Sequence, residues 1–139
     1  MKRSPAEFLF VYGTLRRDIR HEMYRLLARN ADFVGDATFQ GRLYLVDDFP
    51  GAVSSPSSED CVRGEVYRLE EPQQVLSKLD DYEEFDPKSP EAGLYRRVKA
   101  MVLLDDDTPV DAWIYLYNRP TAGLLAIPSG DFLQITTIR

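Results

Sequence analysis

Residues 8–12 read FLFVY, an apolar run with no helical period, which predicts a short buried strand. Residues 20–30 predict a helix, because Met23, Leu26 and Leu27 recur at i, i+3 and i+4 on one face. Two further apolar runs, FQGRLYLV at 39–46 and VRGEVYRL at 62–69, predict strands. Gly64 inside the second run marks a bulge or a close backbone approach. Pro72 opens a second helix, a favoured first position because proline has no N–H to leave unpaired. Val75, Leu76, Leu79 and Tyr82 form its buried stripe. Residues 94–104 and 110–118 predict a long hairpin around LDDDTP. In its second arm Val110, Ala112, Ile114 and Leu116 face one way, and Trp113, Tyr115 and Tyr117 the other. A strand apolar on both faces needs cover on both, which a small barrel or a strongly curled sheet with helices outside provides. The expected order is β-α-β-β-α-β-β, an α+β fold.

A chain of 139 residues fits one domain, spanning 1–139, and can bury a core without disulfides or metals. Seventeen basic against 23 acidic residues give a net charge of −6, which disfavours nucleic acid or an anionic membrane as the main partner. The single cysteine, Cys61, rules out an internal disulfide framework and is compatible with a reducing cytoplasm. No stretch has the length or apolarity of a membrane span, and the N-terminus lacks the apolar core of a secretory signal. The only histidine, His21, stands in a polar first helical turn, which argues against a histidine zinc site or a Ser-His-Asp triad. No feature of the chain fixes its oligomeric state.

Three stretches carry chemistry. In VYGTL (11–15) an apolar strand ends in Gly-Thr. Gly13 permits a positive φ and the close approach of a ligand. The free N–H groups after it could hold a carboxylate or an oxyanion. The plainer alternative is that Gly13 only ends the strand. In LDDYEEFD (79–86) five acidic residues crowd a helix C-terminus, the end that carboxylates normally avoid. A partly buried carboxylate there should have a raised pKa, suited to general acid/base work near neutrality. The alternative is a solvated acidic face. Tyr82 continues the buried stripe, so Glu83 falls at the boundary of core and solvent, with Asp81 and Glu84 further out. In GLYRRVKA (93–100) Arg96 either pairs with one of these acids or holds a substrate carboxylate.

Together these stretches resemble the gamma-glutamylcyclotransferase-like family. The resemblance lies in FVYGTLRR (10–17), GRLYLVDDFPGAV (41–53), VRGEVYRL (62–69), LDDYE (79–83), YRR (95–97), AWIYLY (112–117) and IPSGDF (127–132), in that order over nearly the whole chain. It implies a small mixed β-barrel flanked by helices, with no metal and no cofactor. It implies a pocket lined by Tyr12, Gly13, Thr14 and Leu15, with Glu83 as general acid/base and Tyr115 and Tyr117 as further substrate contacts. The implied reaction releases 5-oxoproline and a free amine from a small γ-glutamyl amide. Arg16 or Arg17 would attract the substrate carboxylate, an inference from charge alone. The chain departs from the family at Glu84, where glycine is usual. That second carboxylate could raise the pKa of Glu83 or narrow the pocket. A module of the same fold that binds a small amino acid or carboxylate without turning it over is the alternative.

Overall fold

The structure, a computed structural model, describes residues 6–13, 22–47, 49–83 and 85–132, with the backbone alone at 22–24. The expectations for Thr14, Leu15, Arg16, Arg17, His21, the Met23 side chain and Glu84 lie outside these residues. Seven strands and two helices follow the order β1 (Glu7–Val11), α1 (Glu22–Asn30), β2 (Ala31–Val46), β3 (Phe49–Ser54), β4 (Cys61–Leu69), α2 (Pro72–Tyr82), β5 (Tyr95–Leu104), β6 (Pro109–Tyr117) and β7 (Leu125–Ala126).

Five strands close a barrel. β2 pairs with β4, β4 with β1, β1 with β6 and β6 with β5, and β5 returns to β2 through Ala37↔Leu104 and Thr38↔Leu103. Among the described residues only the β1–β6 pairing, at Leu9↔Trp113, is parallel, so the barrel is mixed. The far half of β2 leaves the barrel and carries β3 on one edge and β7 on the other. This is the α+β barrel with flanking helices that the sequence predicts.

Alternation builds two cores. Phe10, Phe39, Val62, Val66, Val102, Ala112 and Ile114 point into the barrel. Leu9, Val11, Tyr67, Leu69 and Tyr115 point outward, against Leu27 of α1 and Val75, Leu76 and Leu79 of α2. The two faces expected of the last long strand therefore serve the two cores.

Several expectations need correction. β2 begins at Ala31 rather than near Phe39, and β3 and β7 were not expected. Of the two readings of Gly64 the close approach holds and the bulge does not. A Cβ there would stand 2.3 Å from the Val11 carbonyl oxygen and 2.5 Å from the Phe10 ring. The register shift lies instead between Phe33 and Gly35.

Candidate active site

A cavity of about 330 Å³ opens where β1 ends. Tyr12 and Gly13 form one wall, the β2–β3 hairpin with Asp47 and Pro50 a second, and Glu83 at the end of α2 a third. Tyr95 of β5 and Tyr115 of β6 complete it. The volume suits a small ligand.

Gly13 does not take a positive φ, contrary to one expectation. Its need for no side chain comes from Pro50. A Cβ on Gly13 would lie 2.8 Å from the Pro50 Cγ. The glycine lets the hairpin close against the end of β1, and so shapes the cavity wall.

Glu83 caps α2. Its backbone N–H donates to the Leu79 carbonyl oxygen at 2.8 Å, which continues the helical bond pattern one residue past the helix. The residue is partly exposed, but its carboxyl is enclosed, and burial pushes the pKa up to about 7.

Hydrogen bonding explains why burial acts unopposed. Each phenol has one proton to give. Tyr12 gives its proton to the Tyr115 carbonyl oxygen and accepts the Ala52 N–H at 3.2 Å. Tyr95 donates to the Pro50 carbonyl oxygen at 2.8 Å. Tyr115 donates to Asp80 Oδ1 at 2.7 Å. None of these three protons is left for Glu83. Burial holds all three phenols well above the ordinary tyrosine range.

Behind this wall, Asp80 is nearly inaccessible to solvent. Arg97 Nε and Nη2 donate to its two oxygens at 2.8 and 3.2 Å. The guanidinium lies 4.5 Å from the Trp113 ring centre and 5.8 Å from that of Phe85. The arginine paired with the acidic stretch is thus Arg97, whereas Arg96 is exposed. Alternation along β5 decides this. Tyr95 and Arg97 share the face turned to α2, and Arg96 points away from it. The stretch is not a uniformly solvated face either, since Asp80 is buried and Asp81 exposed.

Of the expected site residues, Tyr12, Gly13, Glu83 and Tyr115 meet at the cavity. Thr14 and Leu15 lie outside the described residues. Tyr117 is not among the lining residues. Its ring stands edge-on behind Tyr95, 5.9 Å between centres. Asp47, Pro50 and Tyr95 were not foreseen as site residues. The available signal was DDFPG, in which two acids interrupt two β-prone runs. Among the described residues no group of His, Cys, Asp and Glu side chains is arranged to hold a metal ion, and no helix is long and apolar enough to cross a membrane.

Comparison with known proteins bears on the same residues. The family model described as gamma-glutamyl cyclotransferase, AIG2-like, matches residues 9–134, which include every described wall of the cavity. The gamma-glutamylcyclotransferase family protein YtfP of Escherichia coli K12 is 34% identical over 128 residues, covering 91% of this chain and 96% of its own. The crystal structure of YkqA from Bacillus subtilis superposes with a TM-score of 0.72 at 27% identity, over 96% of this chain and 42% of that one. An AIG2-like protein from mouse shares the fold, with a TM-score of 0.68 at 24% identity over 90% of this chain and 88% of its own. With a match that runs from β1 past β7 and takes in the cavity, the chain belongs to the gamma-glutamyl cyclotransferase, AIG2-like, family.

Proposed function

We propose that residues 1–139 act as one domain, a cofactor-independent cyclotransferase that converts a small γ-glutamyl amide into 5-oxoproline and a free amine. One observation carries the reading. A carboxyl in the wall of a ligand-sized cavity, Glu83, is tuned by burial to about 7. A group with that pKa can both take and return a proton near neutrality. The family membership and the name of the E. coli relative supply the reaction class.

The chemistry asks little beyond geometry and proton traffic. In a γ-glutamyl amide the α-nitrogen and the γ-carbonyl carbon belong to one molecule, so attack closes a five-membered ring without bringing two reactants together. The Glu83 carboxylate takes a proton from the α-ammonium group. The freed nitrogen forms its bond to the γ-carbon, and the γ-oxygen gains the negative charge. Backbone N–H groups of the loop that starts at Gly13, including Thr14 and Leu15, stabilise that oxygen. As the γ-carbon–nitrogen amide bond breaks, protonated Glu83 gives its proton to the leaving nitrogen, and the ring nitrogen then loses its second proton through the Glu83 carboxylate to the freed amine, which departs as an ammonium ion. Tyr12 and Tyr115 shape the wall against which the substrate folds, and Tyr117 supports the wall from behind Tyr95.

The test is 5-oxoproline release from a panel of γ-glutamyl conjugates of amino acids, polyamines, the lysine side chain and a carrier protein. Release from at least one member is expected, and the best substrate names the leaving amine. A folded protein that binds γ-glutamyl amides and releases no 5-oxoproline is a binding module of the same fold, and the enzyme reading falls.

A further inference from the structure

Behind the cavity wall, Asp80 and Arg97 form a buried cluster with the lining residue Tyr115. It is joined to Glu83 by the chain itself, Asp80 being three residues earlier. The Asp80 carbonyl oxygen accepts the Phe85 N–H at 2.8 Å, while its carboxylate binds Arg97 of β5 and Tyr115 of β6. The turn that bears Glu83 is therefore fastened at Asp80 by both backbone and side chain. Arg97 is fixed from three sides, by Asp80 and by the rings of Trp113 and Phe85.

We propose that Asp80 is a positioning residue for Glu83, which pins the turn and keeps the Arg97 guanidinium and the Tyr115 phenol off the Glu83 carboxyl by holding both to itself. The inference rests on Glu83 being the acid/base group. The chemical reason is a conflict of needs. A general base of ordinary carboxylate strength is too weak for an α-ammonium proton. A guanidinium or a phenolic donor on Glu83 would return it to that range. Tyr115 lines the cavity with Glu83, and Arg97 shares the Asp80 carboxylate with that phenol, so a change at Asp80 reaches the wall of the cavity through both partners. Asp80 neutralises the guanidinium and accepts the only proton of the phenol.

The groups that face Glu83 are consistent with this division. β1 offers Tyr12, the β2–β3 hairpin Asp47, α2 Tyr82, β5 Tyr95 and β6 Tyr115. Among these described residues there is no cation. Arg97 is the cation held behind them, and Asp80 is its counterion.

The experiment follows the Glu83 carboxyl by carbon NMR in protein labelled at glutamate, with the signal assigned by its loss in Glu83→Gln. This readout does not require turnover. Asp80→Asn should lower the Glu83 midpoint from about 7 by one unit or more, about a tenfold gain in acidity, as the guanidinium loses its counterion. Adding Arg97→Met removes the remaining charge and should bring the midpoint back towards 7. The acidic limb of kcat/KM should move the same way. A folded Asp80→Asn protein with an unmoved midpoint overturns the proposal. Where Asp80→Asn does not fold, Tyr115→Phe decides. A midpoint that stays near 7 shows that the phenol never served Glu83, and a rise shows that it did and overturns the proposal. A protein that titrates as expected but releases no 5-oxoproline leaves the positioning intact and removes the catalytic reading.

Discussion

At Glu83 burial works against ionisation, and the phenols of Tyr12, Tyr95 and Tyr115 do not offset it, since each of these has given its proton elsewhere. The raised pKa is also a statement about stability. Between the ordinary value of 4.5 and the folded value of about 7, an unfolded chain ionises this group while the folded chain still holds the proton. Its contribution to stability is complete below 4.5 and is lost as pH rises through 7. Glu83→Gln does not titrate, so its stability relative to the native protein should grow by roughly 2–3 kcal/mol between pH 5 and pH 8. Urea midpoints at the two pH values measure this, and a constant difference contradicts it. The sequence pointed to this residue because Tyr82 belongs to the helix stripe and puts its neighbour at the edge of the core. It gave no indication that the phenols would be spoken for. Those bonds join residues 35, 45 and 103 positions apart, beyond any local pattern.

Elements that follow a single period were legible, and those that break it were not. α2 is read directly from Pro72 and its stripe, and the β5–β6 hairpin from alternation around a turn of aspartates. The first half of β2 is hidden by its bulge. The shift at Phe33–Gly35 puts the alternation out of step and leaves Phe33 and Val34 exposed. β3 is hidden by Pro50 and Gly51, which argue against a strand except at an edge, and β3 is an edge. The same proline and the tyrosine bound to its carbonyl oxygen tie this hairpin to the site. Gly13→Ala would push a methyl to 2.8 Å from the Pro50 Cγ and move the hairpin away from β1. We expect a loss of about 1–3 kcal/mol in stability, the usual cost of overpacking. The shift in the cavity wall should reduce kcat/KM at least about tenfold. Melting curves with steady-state rates check both, and native values for the two would show that Gly13 has no part in shaping the wall.

The whole molecule depends on a narrow barrel. Its interior is filled by a few large rings set against small residues, and Phe10 crosses β4 only because Gly64 has no side chain. Gly64→Ala places a methyl 2.3 Å from the Val11 backbone oxygen, which no side-chain adjustment relieves. It should cost about 3 kcal/mol or more and lower Tm by roughly 10 °C. Gly35→Ala, whose methyl would meet only the Leu104 side chain at an ordinary 3.6 Å, should leave Tm nearly unchanged. Equal effects of the two would contradict this account of the barrel. At this scale the sequence was most informative, because seven motifs in order specify a fold that no single one does. The most direct test of the central claim is the pH dependence of kcat/KM for 5-oxoproline release, with Glu83→Gln beside the native protein. The account predicts a native rate that falls tenfold per unit below about pH 7, and a variant at least about 10³-fold slower without that limb. A Glu83→Gln protein that turns over near the native rate would contradict it.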